Sequence, residues 1–158
     1  MSVENTSYQI LNQEEQNKKV VKMIVSIINA RFKPTNFQIR SLYSFFKDND
    51  KDTTYLVGMD AADVAIVEVL TKLGLKVEGR PQTKASKEFI FPAMHTSQPL
   101  AMKDRNAKLV EEANLVLGVP QTMNELEDSP CWKTIRSAIT LGKDVTVISP
   151  TGFLWDSY

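Results

Sequence analysis

The feature that most constrains the fold is a nearly continuous run of apolar and β-branched residues, Val20 to Ile28, interrupted only by Lys22 and Ser26. A strand with one solvent-exposed face would alternate apolar and polar residues, whereas a strand buried on both faces of a parallel sheet consists of one apolar run. We therefore predict a central buried strand over residues 20–28, followed by a loop from Asn29 to Pro34.

Four shorter apolar runs alternate with stretches of helical periodicity along the rest of the chain. The predicted strands lie at residues 53–57, 75–77, 115–120 and 144–148, and the predicted helices begin near residues 36, 61, 102 and 130. Strands that alternate with helices are typical of α/β proteins with right-handed crossovers. The pattern predicts a Rossmann-like three-layer sandwich around a five-stranded, mainly parallel sheet.

Two segments depart from this alternation. Residues 1–17 are rich in Asn, Gln, Glu and Ser, so we expect a flexible N-terminal arm before a single domain over residues 18–158. Residues 79–100 mix basic, aromatic and turn-forming side chains, which predicts a long irregular loop. Loops of this length inside a domain are usually functional or mobile.

Composition excludes several classes of function. The 19 basic residues balance the 19 acidic ones, so no global charge indicates a nucleic-acid or membrane partner. Cys131 is the only cysteine and His95 the only histidine, which excludes an intrachain disulfide, a Cys-rich zinc site and a multi-histidine metal site. We predict no metal and no cofactor. The absence of a signal-peptide pattern at the start leads us to expect a cytoplasmic protein.

In open parallel sheets, ligands bind outside the carboxyl ends of the strands, where the strand order reverses. One candidate there is the helix predicted after Ser129, which is a good N-cap followed by Pro130 at the first helical position. The partial positive charge of a helix N-terminus suits a phosphate or a carboxylate. An ordinary capped surface helix is the alternative interpretation of this stretch.

Three further groups of residues lie at strand ends or helix starts. Gly58 ends a strand and precedes Asp60 and Asp63, an arrangement that lets a ligand approach the backbone, although the two aspartates are equally explained as helix-cap residues. Arg31 and Lys33 follow the first strand as candidate anion ligands, with a solvated loop as the alternative.

Arg105 and Asn106 open the third predicted helix, where a guanidinium offers a planar fork and an amide can both donate and accept. We expect Arg105 to be exposed, so Arg105→Ala should weaken binding of a phosphate ligand by about 1.5–3 kcal/mol with little change in stability. In the competing account Arg105 is a structural partner of an acidic group such as Asp104 or Asp63.

Cys131 and His95 suggest a thiol nucleophile with a base, since a cysteine in a first helical turn tends to have a lowered pKa. A buried, unreactive cysteine is the favoured alternative, because no third orienting residue is evident. Trp132 is likewise better explained as a core residue than as a stacking platform, because it falls at helical spacing with Ile135 and Ile139.

Taken in order, these motifs resemble the SLOG superfamily of Rossmann-like proteins, especially its YAcAr-like branch, which is related to the LOG phosphoribohydrolases and to DNA-processing protein A. The matching stretches are Asn29-Ala30-Arg31, Gly58-Met59-Asp60-Ala61-Ala62-Asp63, Arg105-Asn106, Ala113-Asn114-Leu115-Val116-Leu117-Gly118, Ser129-Pro130-Cys131-Trp132-Lys133-Thr134-Ile135 and Gly142-Lys143-Asp144-Val145-Thr146-Val147-Ile148. The resemblance covers about residues 20–152 and implies a cleft for a nucleotide or a nucleotide-derived ligand.

The chain departs from the family pattern at two places. Asn29 stands where the first turn has glycine, and Ser129-Pro130-Cys131 replaces the Gly-Gly-Thr before the tryptophan. The PGGxGTxxE signature of the LOG enzymes, with its catalytic glutamate, is absent from the sequence. These departures favour a protein that binds its ligand without efficient turnover.

The predicted ligand-binding residues are Asn29, Arg31, Gly58, Asp60, Asp63, Arg105, Asn106, Pro120, Ser129, Cys131 and Trp132. The expected partner is a nucleotide-derived small molecule, and a homo-oligomer is a further expectation. Two alternatives stay open. One is an N-glycosidase or nucleoside deoxyribosyltransferase-like enzyme, and the other is a protein-interaction module that has lost its ligand and uses the 79–100 segment and the C-terminal tail. Single-stranded nucleic acid ranks lower, although Arg80, Lys84 and Lys87 offer a local basic patch.

Overall fold

The computed structural model of the protein describes residues 23–48, 52–83, 95–125 and 127–156. Its strands are β1 (Ile24–Asn29), β2 (Thr54–Gly58), β3 (Lys76–Arg80), β4 (His95–Thr96), β5 (Leu115–Val119), β6 (Asp144–Ile148) and β7 (Leu154–Trp155). Its helices are α1 (Asn36–Lys47), α2 (Val64–Lys72), α3 (Met102–Glu112) and α4 (Pro130–Thr140), with a short 3-10 turn, Ala61–Asp63, before α2.

The described strands form one sheet in the order β4-β3-β2-β1-β5-β6-β7. Every neighbouring pair from β4 to β6 is parallel, and β7 pairs with β6 in the antiparallel sense. The prediction of a central first strand is confirmed for Ile24–Asn29, which lies between β2 and β5. The start of the predicted strand, residues 20–22, lies outside the described residues.

The predicted count of five strands is wrong, because two short edge strands extend the sheet at its ends. β4 pairs with β3 at only two positions, and it lies within the segment predicted to be irregular. β7 follows a turn at Gly152, where φ is +92° and the amide of Ser149 donates to the carbonyl of Phe153. Strands of two residues carry no recognisable alternation, so periodicity alone cannot find them.

The segment of residues 79–100 is also more regular at its start than predicted. β3 continues through Arg80, and an isolated parallel bridge joins Gln82 to Leu100. Both ends of the segment are therefore tied to the sheet region. Residues 84–94 lie outside the described part of the chain.

Helices cover both faces of the sheet, which confirms the predicted three-layer α/β class. On one face, α1 and α2 pack over Val25 and Ile27 of β1 in the first apolar core. On the other face, α3 and α4 pack over Ile28 in the second core. Ser26 shares that second face and is buried, with its hydroxyl donating to the carbonyl of Leu109 at 2.5 Å.

Two of the helices, α1 and α4, begin at cap residues that are visible in the sequence. Thr35 caps α1 in a reciprocal capping box with Gln38, and the hydroxyl of Ser129 accepts from the Trp132 amide at 3.3 Å. The predicted start of α4, with Pro130 at the first position, is confirmed. Gly142 follows α4 at a φ of +76°, a left-handed conformation that glycine adopts without strain.

The strand order reverses between β1 and β5, because β2, β3 and β4 extend the sheet on one side and β5 and β6 on the other. The chain crosses this switch point through α3, which packs against β1. Among the helices that the structure describes, none is long and apolar enough to cross a membrane.

Candidate functional site

A cleft of about 680 Å³ opens at the carboxyl edge of the sheet, beside the switch point between β1 and β5. The loop after β1, the turn after β2, helix α3 and the start of α4 form its walls. Nine of the predicted site residues line it: Asn29, Arg31, Gly58, Asp60, Asp63, Arg105, Asn106, Ser129 and Cys131. The volume falls within the roughly 300–1,000 Å³ that is usual for small-molecule sites.

Two predicted site residues do not line the cleft. Trp132 is only 1% exposed and lies in the second apolar core, where its indole N–H donates to the carbonyl of Thr122 at 2.8 Å. The interpretation of Trp132 as a core residue is thus confirmed. Pro120 is buried, and its carbonyl accepts from the side chain of Gln38 at 2.8 Å.

Arg105 lies at the floor of the cleft, and the prediction that it is exposed is wrong, since its exposure is 6%. Its terminal nitrogen Nη2 contacts Asp60 Oδ2 at 3.1 Å, and Nη1 donates to the carbonyl of Arg80 at 3.2 Å. Its Nε donates to Asn106 Oδ1 at 2.7 Å. Residues 105 and 109 lie one turn apart and both are buried, so the side of α3 that carries them is buried.

The competing account of Arg105 as a structural partner of an acidic group therefore describes its contacts better, and that group is Asp60. Asp60 also accepts from Gln82 Nε2 at 2.8 Å through its other oxygen. One carboxylate thus joins the turn after β2 to α3 and to the segment that follows β3. Gln82 was missed by the sequence reasoning, because nothing in its local pattern marks it.

Gly58 is required by this cluster rather than by a turn. A Cβ atom at position 58 would lie 2.7 Å from Arg105 Nη1, which is too close for a real contact, and 3.0 Å from Asp63 Oδ2, which is unusually tight. The glycine at the end of β2 therefore leaves room for the guanidinium and the carboxylate beside it. The sequence reasoning expected this room to serve the approach of a ligand.

Asp63 is buried against the same cluster, with an exposure of 4%. Its Oδ2 accepts from the Asp60 amide at 3.1 Å. The pKa of Asp63 is raised from 3.8 to about 7, chiefly by burial. The neighbouring Asp60 charge acts in the same direction, while the hydrogen bond from Asp60, the Arg105 charge and Asn29 act in the opposite direction. Its carboxyl group therefore exchanges a proton near neutral pH.

Asn29, which replaces the glycine of the family pattern, links the end of β1 to the 3-10 turn that follows β2. Its side-chain amide donates to the carbonyl of Ala62 at 2.9 Å, and its Oδ1 accepts from the amide of Ala30 at 2.8 Å. The Ala30 amide also donates to the carbonyl of Val119 at the end of β5. The side chain thus fixes the shape of the cleft wall between β1 and β2.

Cys131 is only 5% exposed, which confirms the favoured interpretation of a buried cysteine over that of a thiol nucleophile with a lowered pKa. Burial raises the pKa of Cys131 to about 12, and the charge of Glu127 adds to this effect. Desolvation therefore outweighs any benefit of the helix N-terminus, and the thiol stays protonated at neutral pH. Its Sγ lies 3.7 Å from the carbonyl of Ile28. The side chain of His95 lies outside the described part of the structure.

The rim of the cleft carries charges of both signs. Arg31 is exposed and lines it, whereas Lys33 is exposed and does not. Glu127 and Asp128 line the side next to α4, where Asp128 pairs with Lys133 at 2.8 Å. The described residues contain no group of three or more His, Cys, Asp or Glu side chains placed to hold a metal ion.

The basic patch considered for nucleic acid is largely neutralised where the structure describes it. Arg80 forms ion pairs with Glu78 and Glu112, both at 3.0 Å. Lys84 and Lys87 lie outside the described residues.

No protein-family model matches the chain, and no curated protein matches it. Among solved structures, a molybdenum cofactor binding protein from the phototrophic bacterium Rippkaea orientalis is similar with a TM-score of 0.65 and 13% identity, over 81% of this chain and 77% of that one. The Moco carrier protein from Chlamydomonas reinhardtii has a TM-score of 0.60 and 12% identity, over 80% and 75%.

DNA processing protein A from Streptococcus pneumoniae is also similar, with a TM-score of 0.60 and 14% identity, over 81% of this chain and 50% of that one. These neighbours all have SLOG-type folds, and this chain shares that fold. The resemblance predicted from the motifs is thereby confirmed at the level of the fold.

Proposed function

We propose that this protein binds a nucleotide or a nucleotide-derived ligand in the cleft at the carboxyl edge of the sheet, without efficient turnover. The observation that carries the proposal is the convergence of Arg105, Asp60, Asp63 and Asn106 on the cleft at the switch point of the sheet. Open α/β sheets bind their ligands at this position.

The polar groups of the cleft suit the sugar and phosphate parts of such a ligand. The three bonds that Arg105 makes to the described residues use three of its five N–H groups, which leaves two for a ligand oxygen. The carboxyl groups of Asp60 and Asp63 are acceptors for ribose hydroxyls, and Arg31 at the rim adds a positive charge for a phosphate.

Several features argue against rapid turnover. The catalytic glutamate signature of the LOG enzymes is absent from the sequence, and Pro130 removes an N–H donor where the family has glycine. The Cys131 thiol is not a ready nucleophile, because its pKa is raised to about 12. Two structural neighbours are named for binding or carrying the molybdenum cofactor, which supports a binding role without deciding the ligand.

Thermal unfolding with and without ligand tests the proposal. Nucleoside monophosphates, nucleoside diphosphates and cyclic nucleotides are screened first. A ligand present at about 100 times its dissociation constant should stabilise the fold by roughly 2.7 kcal/mol. The same incubations are analysed for free base, which should not exceed the level in buffer alone. A screen in which no nucleotide raises the melting temperature contradicts the proposal.

One observation favours the second candidate, an N-glycosidase or deoxyribosyltransferase-like enzyme. Asp63 lines the cleft with a pKa raised to about 7, and carboxyl groups with such shifts are common at catalytic sites. If the protein is such an enzyme, free base accumulates from a nucleoside monophosphate with the wild type and not with Asp63→Asn. Base release that the substitution leaves unchanged assigns the activity to another residue or a contaminant.

The remaining expectations concern partners. The C-terminal strand β7 is an edge strand, and Leu154 and Trp155 on it are exposed, which is compatible with the predicted homo-oligomer or with a protein partner. Sedimentation of the protein at several concentrations measures its association state. A dimer that dissociates on Trp155→Ala would support contact through this edge.

A further inference from the structure

The cleft differs between its floor and its mouth. The floor holds the charged cluster around Arg105, whereas the mouth carries two large apolar side chains, Phe32 at 56% and Met102 at 40% exposure. Nine large apolar side chains of the described residues are exposed, and only these two line the cleft. Isolated exposed apolar side chains are common, so their shared position at one cleft is the informative observation.

Both side chains are attached to anchored backbone. Phe32 lies in the loop between β1 and α1, where the Ala30 amide donates to the Val119 carbonyl at 3.1 Å and Pro34 is buried. Met102 is the first residue of α3, whose first turn is closed by the bond from the Arg105 amide to the Ala101 carbonyl at 2.8 Å. The two groups are therefore held at the mouth by secondary structure on both sides.

We infer that a planar heteroaromatic ring of the ligand packs against Phe32 and Met102, and that these two residues set the preference for the base. The inference rests on the proposed function and adds the part of the ligand that the mouth recognises. An aromatic face stacks on a base whatever its hydrogen-bonding pattern, and the polarizable thioether of methionine adapts to ring edges. The polar part of the ligand is then directed to the floor, where the donors and acceptors lie.

A larger ring covers more of this apolar surface, so bicyclic bases should bind more tightly than monocyclic ones. The preference should disappear when the mouth is truncated, since the floor contacts only the sugar and phosphate. The ratio of the affinities for bicyclic and monocyclic bases therefore tests the inference separately from the affinity for any single ligand.

The experiment compares two mouth variants with two matched controls. Phe32→Ala and Met102→Ala truncate the mouth, while Phe37→Ala and Met23→Ala remove side chains of the same types and similar exposure, 58% and 44%, that do not line the cleft. Calorimetric titrations use adenosine 5′-monophosphate, cytidine 5′-monophosphate and ribose 5-phosphate. All four positions are exposed, so the variants should fold as the wild type does.

Phe32→Ala should weaken adenosine 5′-monophosphate binding about 5- to 150-fold, the range that corresponds to the stacking of one base. Met102→Ala should weaken it several-fold, Phe32→Tyr should retain most of the affinity, and the controls should bind as the wild type does. The adenosine-over-cytidine preference should shrink in Phe32→Ala. Ribose 5-phosphate, which has no base, should bind all variants equally.

Two outcomes overturn the inference while leaving the proposed function intact. In the first, adenosine 5′-monophosphate binds the wild type and Phe32→Ala with equal affinity. In the second, Phe32→Ala weakens ribose 5-phosphate as much as the nucleotide, which would mean that Phe32 shapes the loop rather than contacts a ring. If neither nucleotide binds the wild-type protein, the inference fails, whereas the wider screen of mono-, di- and cyclic nucleotides decides the proposed function separately.

Discussion

Two ion pairs lie beside the same cleft, one at its floor and one at its rim. Arg105 and Asp60 are 3.1 Å apart, with side-chain exposures of 7% and 30%. Lys133 and Asp128 are closer, at 2.8 Å, but their exposures are 58% and 85%. The shorter contact is the weaker one, because water and salt screen an exposed pair and solvate its partners when it breaks.

The comparison shows that burial rather than distance decides what each pair does. Removing the lysine of the rim pair leaves a carboxylate that water can solvate. Removing the guanidinium of the floor pair leaves Asp60, the side chain of Asn106 and the carbonyl of Arg80 without their bonds to Arg105 in a mostly buried site. The floor pair therefore supports the fold around the cleft, and the rim pair only adjusts its surface charge.

The largest effect should come from Arg105→Ala. Breaking a buried pair by removing one partner typically costs about 3 kcal/mol or more, so the free energy of unfolding should fall by about 3 kcal/mol. Chemical denaturation measures it, with Lys133→Ala as the matched rim control and Arg105→Lys as the conservative variant. Equal losses for Arg105→Ala and Lys133→Ala would contradict the comparison.

Gly58→Ala should have the second largest effect. The free energy of unfolding should fall by about 2 kcal/mol, since overpacking a filled site usually costs about 1–3 kcal/mol. The added Cβ would lie 2.7 Å from Arg105 Nη1. A double-mutant cycle sharpens this: with Arg105→Ala also present, Gly58→Ala should cost clearly less than alone. Strictly additive losses would show that the strain lies elsewhere.

Asp63→Asn should change how stability depends on pH. The pKa of Asp63 is raised from 3.8 to about 7 in the folded protein, so the native state holds a proton that the unfolded chain has released between these values. The wild type should therefore lose stability as pH rises from about 4 to 7. Asp63→Asn should remove this loss and be more stable than the wild type at pH 8, by melting temperature. A wild-type melting temperature that does not fall over this range would contradict it.

Asp128→Asn should have the smallest effect. The hydrogen bond and charge of Lys133 lower the pKa of Asp128. The small contribution of this pair to stability is therefore present above the ordinary pKa of aspartate, and it is lost as the pH falls through the pKa of Asp128 in the folded protein. The change in melting temperature at neutral pH should be slight and should vanish in high salt. A large, salt-independent loss would mean that the rim pair is not the solvated contact that its exposure indicates.

Local patterns in the sequence determined most of the fold. The apolar run before Asn29 required a strand covered on both faces, and the structure places it between β2 and β5 with helices on both faces. Thr35 and Ser129 placed two helix starts, because their side chains bond amides only three residues away. The edge strands β4 and β7 escaped prediction, since two residues show no periodicity and their pairing depends on the rest of the sheet.

The sequence by itself also brought nine predicted residues to one cleft, because strand ends and helix starts of a parallel sheet share one edge. Only the tertiary structure decided what those residues are. Arg105 proved to be buried and bonded to Asp60, and Gly58 to leave room for this cluster rather than for a ligand. The reason is physical: exposure, pKa and ion pairing depend on neighbours distant in the chain, and no local spacing records which neighbours those are.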